Sequence, residues 1–290
     1  MKRSRQRASV LVVSSLAIAL IAVACTPGGP PLAGFTVSPK SVTVHHQEDW
    51  DAGDEPYVIQ LGFRSKLGVR DSTSTSFSSQ CYNGKLPAAD AAPNGTTLEF
   101  PAGAADINLG EVQPLDVGDL ALSTAPFEII GTLSFVMERD GVFPDGCAVS
   151  DLLNSALSGT IRDALELLIA RSDTPPSTED LINLIVSHIT DFLQAAAGLI
   201  GAVIEGLGDP DDIVGIAAQI YLPTTGALTD LIKTGLSIGG LFAPGLDQGF
   251  IPIDGLPQNL AIKVGPLERT RSYFRFTSDA ADYTFVNEIR

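Results

Sequence analysis

Ser272-Tyr273-Phe274-Arg275-Phe276-Thr277 decides the fold class, because aromatic and polar residues alternate along it. Successive side chains of a β-strand point to opposite faces, so this alternation predicts a strand with one buried face. Residues 33 to 145 also have strand and turn character, and Asp71 to Ser79 is so rich in Ser and Thr that it predicts a loop or a polar edge strand. Further strands are predicted at Val58–Arg64, Phe127–Met137, Leu260–Val264 and Asp282–Asn287.

A helical spacing of apolar residues begins after Cys147, with steps of three and four from Val149 to Leu168. Capping signals predict a second helix from Ser177, a third from Asp209-Pro210-Asp211-Asp212 and a fourth from Thr225 to about Leu241. The order of elements predicts an α+β fold, an antiparallel β-sheet or sandwich interrupted by an all-helical insertion. The predicted regions are a β-rich region at 33–146, the helical insertion at 147–243, and C-terminal strands at 244–290 that complete the β-region.

The first residues have the layout of an export signal. Four basic residues precede an apolar run, Val10 to Ala24, which is short for a bilayer span of about 20 residues. The run ends in Ala22-Val23-Ala24-Cys25, which resembles the lipobox of bacterial envelope lipoproteins, with Ala22 in the place of the usual leucine. The resemblance implies a signal peptide at 1–24, lipidation of Cys25, a flexible tether at 25–32 and attachment to the outer face of the bacterial cell membrane. A plain signal or a transmembrane anchor with a chance cysteine is the alternative.

The charge of the chain is strongly acidic, with 34 acidic against 18 basic residues. The predicted signal peptide holds four basic and no acidic residues, so its removal leaves a formal charge of −20. Such a surface repels phosphate backbones, which excludes nucleic acid as a partner. Arginine outnumbers lysine twelve to six, a composition typical of a high-GC genome such as that of an actinobacterium.

Two cysteines remain beside Cys25, and both fall in an exported and oxidising compartment. They are Cys81 and Cys147, which predict one disulfide bond. In the chain-entropy model, a disulfide that closes a loop of this length stabilises the folded state by roughly 4 kcal/mol. Two free thiols are the alternative.

The densest polar cluster precedes the strand at Val58. It supplies five carboxylates within eight residues, a density that Ca²⁺ sites require: Glu48, Asp49, Asp51, Asp54 and Glu55. These five are the candidate calcium ligands, and a solvated acidic loop is the alternative. No other cofactor is predicted.

Groups for nucleophilic catalysis are scarce, since the chain has only His45, His46 and His188 and none of the familiar catalytic motifs. We therefore expect no enzyme but a binding or structural module of the cell envelope, with an envelope protein or a hydrophobic ligand as partner. One alternative is a lipid carrier or membrane-active protein that uses the helices at 180–242. The other is a hydrolase that uses carboxylates at 48–55.

Overall fold

The computed structural model describes residues 32–47, 53–66, 69–80, 92–122, 126–138, 213–238, 249–252, 259–277 and 281–290, with six further positions between 151 and 162. Within these ranges the strands are β1 (Ala33–His46), β2 (Tyr57–Lys66), β3 (Ser74–Gln80), β4 (Thr97–Glu99), β5 (Ile107–Val112), β6 (Glu128–Met137), β7 (Ile213–Leu222), β8 (Gly249–Pro252), β9 (Asn259–Pro266), β10 (Arg271–Thr277) and β11 (Asp282–Ile289). Two helices are described from end to end, α1 (Val117–Leu122) and α2 (Gly226–Ile238), and the six positions between 151 and 162 are also helical.

The strands form two sheets. The first has the order β10-β11-β1-β4, and β5 pairs with the N-terminal part of β1 beside β4. The second has the order β3-β2-β6-β7-β9-β8 and is antiparallel except for the β7–β9 pair. The chain therefore crosses between the sheets several times: β1, β4, β5, β10 and β11 belong to the first sheet, and β2, β3 and β6 to β9 belong to the second.

The two sheets pack face to face around an apolar core. One cluster joins Val42, Phe274 and Phe285 of the first sheet to Val58 and Val136 of the second. Strand β10 shows why the chain folds this way, because its residues alternate strictly between exposed and buried positions. The half-buried strand predicted at 272–277 is thus confirmed.

The predicted α+β fold with an all-helical insertion is wrong, because the protein is mostly β. Ile213–Leu222, assigned by its sequence to a third helix, is strand β7, and all ten of its residues are buried. A strand in the middle of a sheet that is buried on both faces is apolar throughout, and such a run resembles a buried helix. The fourth predicted helix coincides with α2, which buries Leu228 and Ile232. The second predicted helix lies outside the described residues, as does most of the first.

One close approach between the sheets depends on Gly215 of β7. A Cβ atom placed there would lie 2.0 Å from Cγ of Phe276, whose ring is fully buried on β10. Real carbon atoms do not approach so closely, so the phenyl ring occupies the space that any other residue at 215 would need.

The interior also holds a polar cluster that links the sheets. Asn287 of β11 donates from Nδ2 to Oε1 of Gln219 at 2.8 Å and to Oε1 of Gln60 at 3.1 Å. Ser134 donates to the same Gln60 oxygen at 2.8 Å, and Gln60 Nε2 donates to the carbonyl of Ala105 at 2.7 Å. All four polar side chains are buried, so these bonds fix how one sheet sits on the other.

Candidate functional site

The structure describes two of the five candidate calcium ligands. Asp54 is fully buried, and its carboxylate accepts a hydrogen bond of 2.5 Å from the hydroxyl of Tyr283. The backbone N–H of Glu55 donates to Oε1 of Glu138 at 3.3 Å. Within the described ranges no three His, Cys, Asp or Glu side chains are grouped to hold a metal ion. Glu48, Asp49 and Asp51 lie outside those ranges, so the calcium site stays a prediction.

The three cysteines also lie outside the described residues. Lipidation of Cys25 and a bridge between Cys81 and Cys147 therefore stay predictions. Non-reducing peptide mapping of the exported protein tests the bridge directly.

An open cleft lies between the two sheets where β3 forms the edge of the second sheet. Its volume is about 350 Å³, within the range of small-molecule sites. Three short segments line it, 62–64 of β2, 74–76 of β3 and 108–110 of β5. We call it the edge cleft.

Arg64 is the charged residue of the edge cleft. Its Nε donates to Oε2 of Glu128 at 2.9 Å, and its Nη2 lies 2.7 Å from the same oxygen. Its Nη1 donates to the carbonyl oxygen of Leu109 on β5 at 3.2 Å. A guanidinium held from two strands in this way is oriented before a ligand arrives.

Hydroxyl groups face Arg64 from the neighbouring strand. Ser74 pairs with Arg64 and Ser76 pairs with Gly62, and directly paired residues of a sheet lie on the same face. Both serines are exposed, so their hydroxyls are open to the edge cleft. The serine-rich stretch from Asp71 to Ser79 was predicted to be either a loop or a polar edge strand. Most of it is the edge strand β3.

Two glycines shape the walls of the edge cleft. A Cβ at Gly62 would lie 2.4 Å from Cγ2 of Ile107, so glycine there lets β5 come close to β2. Gly110 has a φ of +74°, in the region that favours glycine, and its N–H donates to Oδ1 of Asn108 at 2.8 Å. That bond fixes the orientation of the Asn108 side chain at this bend of β5.

The histidines described by the structure lie away from the edge cleft. His45 and His46 end strand β1 in the first sheet, and Nε2 of His45 is 2.8 Å from the hydroxyl of Thr284. Neither of these two histidines lines the edge cleft with Ser74 and Ser76.

Sequence reasoning missed Arg64, Ser74, Ser76 and Asn108 as site residues. Each is an ordinary polar residue of a strand, and only the pairing of distant strands brings them together. The serine-rich composition of β3 was the available signal, since polar side chains on an edge strand have to face either water or a ligand.

Searches for related proteins found no matching family model, no similar curated protein and no similar solved structure. Of the helices that the structure describes, none has the length and apolar character needed to cross a membrane.

Proposed function

We propose that this protein is a membrane-anchored extracytoplasmic lipoprotein that acts as a binding module of the cell envelope, with the edge cleft as its ligand site. The observation that carries the proposal is the edge cleft itself, an open space of about 350 Å³ with a pre-oriented arginine on its wall. The signal-like first 24 residues and Cys25 support the proposed location at the cell membrane, since they resemble those of envelope lipoproteins.

The chemistry of the edge cleft favours binding over catalysis. Its polar groups are hydrogen-bond donors on rigid strands, which suits recognition of a fixed ligand shape. The buried Asp54 is engaged by Tyr283, so the described structure does not favour the carboxylate hydrolase. The hydrophobic-carrier alternative needs helices at 180–242 to bind the ligand. Residues 213–222 of that range instead form β7, an integral strand of the second sheet.

A ligand screen on the full chain, purified from its host membranes, tests the binding role. Thermal unfolding is measured against a panel of small acids and saccharides found in cell envelopes, since a ligand of the folded state raises the melting temperature. We expect at least one compound to raise it in the wild type and to lose most of that effect in a Ser74→Ala, Ser76→Ala variant.

A control variant removes two hydroxyls that do not line the edge cleft. Thr43 and Thr97 hydrogen-bond to each other at 2.9 Å on the outer face of the first sheet. The double alanine variant at these positions should respond to the ligand like the wild type. Two results would count against the edge cleft as the site: no compound of the panel raises the melting temperature, or the serine variant and the threonine variant lose the rise equally.

The anchor is tested separately by labelling with radioactive palmitate in the host. We expect label on the wild type, none on Cys25→Ala, and accumulation of the precursor under globomycin. Undiminished label on Cys25→Ala would contradict the lipoprotein assignment while leaving the ligand screen unaffected.

A further inference from the structure

We infer that the ligand of the edge cleft carries an oxyanion, a carboxylate, phosphate or sulfate group, which Arg64 binds. This inference rests on the proposed function, because it names the ligand class of the same site.

Arg64 has hydrogen-bond donors to spare. A guanidinium carries five N–H groups, two on each terminal nitrogen. The contacts with Glu128 and Leu109 need one N–H on Nε, one on Nη2 and one on Nη1. One N–H on each terminal nitrogen remains, and two neighbouring N–H groups match the two oxygens of a carboxylate or phosphate.

The other polar groups on the cleft walls add donors. Ser74 and Ser76 lie on the face of the sheet that carries Arg64, and their hydroxyls can donate hydrogen bonds to a ligand in the cleft. A set of donors without a carboxylate of its own is complementary to a group that only accepts.

The local charge is positive although the chain is acidic. Glu128 lies within 4 Å of both Arg64 and Lys66, so two positive charges share one negative charge. The whole chain carries a formal net charge of −16 at pH 7. The Arg64 side chain is about three-quarters buried, which lowers the screening of its charge by water. A negative ligand is thus attracted at this point and repelled over most of the remaining surface.

Isothermal titration calorimetry on the full chain in detergent tests the ligand class. The matched probes are glucuronate and glucose, which share a ring and differ by one carboxylate. Inorganic phosphate and sulfate test the bare ions, and vesicles of phosphatidylglycerol against phosphatidylcholine test a lipid headgroup as the source of the anion. We expect glucuronate or one of the other anions to bind at least about tenfold more tightly than its neutral counterpart.

Arg64→Lys, with a control and a second variant, tests whether the anion binds at Arg64. Arg64→Lys keeps the charge but loses the planar fork, so the affinity for the anion should fall about tenfold. The exposed Arg271→Lys, also paired with a glutamate, is the matched control and should leave the affinity unchanged. Ser74→Ala leaves the Arg64 ion pair intact and should cost about fivefold, which keeps the test valid if Arg64→Lys does not fold.

The outcomes separate this inference from the proposed function. If glucuronate and glucose bind equally well and Ser74→Ala weakens both, the inference that the ligand carries an oxyanion is overturned, while the edge cleft is retained as a binding site. Anion binding that Arg64→Lys and Arg271→Lys weaken equally would also overturn the inference. Binding of anionic vesicles alone, lost in Arg64→Lys, would support it and identify a lipid headgroup as the source.

Discussion

Replacing Gly215 by alanine should destabilise the protein more than its single added methyl group suggests. The new Cβ would lie 2.0 Å from Cγ and 2.2 Å from Cδ1 of Phe276, where ordinary contacts are 3.4–4 Å. The ring would have to retreat by more than an ångström. Phe276 is fully buried in the cluster that joins the two sheets, so its neighbours would have to move with it.

Overpacking of this kind typically costs about 1–3 kcal/mol. Against this, replacing glycine by alanine stabilises by about 0.4–1 kcal/mol where the backbone allows it, because the unfolded chain loses freedom. We therefore expect a net loss of about 1–2 kcal/mol for Gly215→Ala. Urea unfolding followed by far-ultraviolet circular dichroism measures it, with an unchanged slope and a lower midpoint.

Gly265 provides the matched control in the same sheet. It lies on β9, and an added Cβ would have no atom within 4 Å, so Gly265→Ala should be neutral or slightly stabilising. Phe276→Leu in both backgrounds completes a double-mutant cycle, in which relief of the clash should appear as a coupling of about 1 kcal/mol or more. Equal midpoints for Gly215→Ala and Gly265→Ala, or strictly additive costs with Phe276→Leu, would refute the steric reasoning.

Three further predictions concern polar groups. Asn287→Leu should lower the free energy of unfolding by about 1–3 kcal/mol, since Gln219 Oε1 loses its donor in the core; a variant with the wild-type urea midpoint would show that the cluster adds no stability. The hydrogen bonds from Arg275, at 2.9 and 2.6 Å, lower the pKa of Asp282 below 3.8, so their stabilisation is present above that pH and is lost as the pH falls through the lowered pKa. Arg275→Gln should therefore be less stable than the wild type at neutral pH, and the difference should shrink as the pH falls through the lowered pKa of Asp282; a difference that does not change with pH would contradict this pair. Millimolar calcium should raise the melting temperature if the acidic loop binds it, and Asp49→Asn should reduce the rise; a midpoint indifferent to calcium and EDTA would favour the solvated loop.

Local patterns predicted strands β6, β10 and β11. The alternation in β10 and the aromatic and β-branched residues of β6 and β11 were sufficient, because each pattern is complete within one element. Strand β7, like β6, is buried on both faces. It was assigned to a helix because the capping signal at Asp209 outweighed an apolar run without a clear period.

The edge cleft was beyond local prediction for a different reason. Arg64 meets Glu128 and Leu109 only because β2 pairs with β6 and packs near β5. Register between distant strands depends on the whole core rather than on neighbours in sequence. Composition could indicate that β3 is polar, but not which residues it would face.

The pairing of β1 with β11 has a consequence for how the chain folds. Strand β1, the first of the fold, pairs along its length with β11, and the backbone of Arg290 exchanges hydrogen bonds with Thr36. Synthesis from the N-terminus supplies β1 before β11. The first sheet cannot close until β11 is available, so until then one edge of β1 keeps its hydrogen-bonding groups open to other strands. In that interval a chaperone or a protease can act on the incomplete sheet.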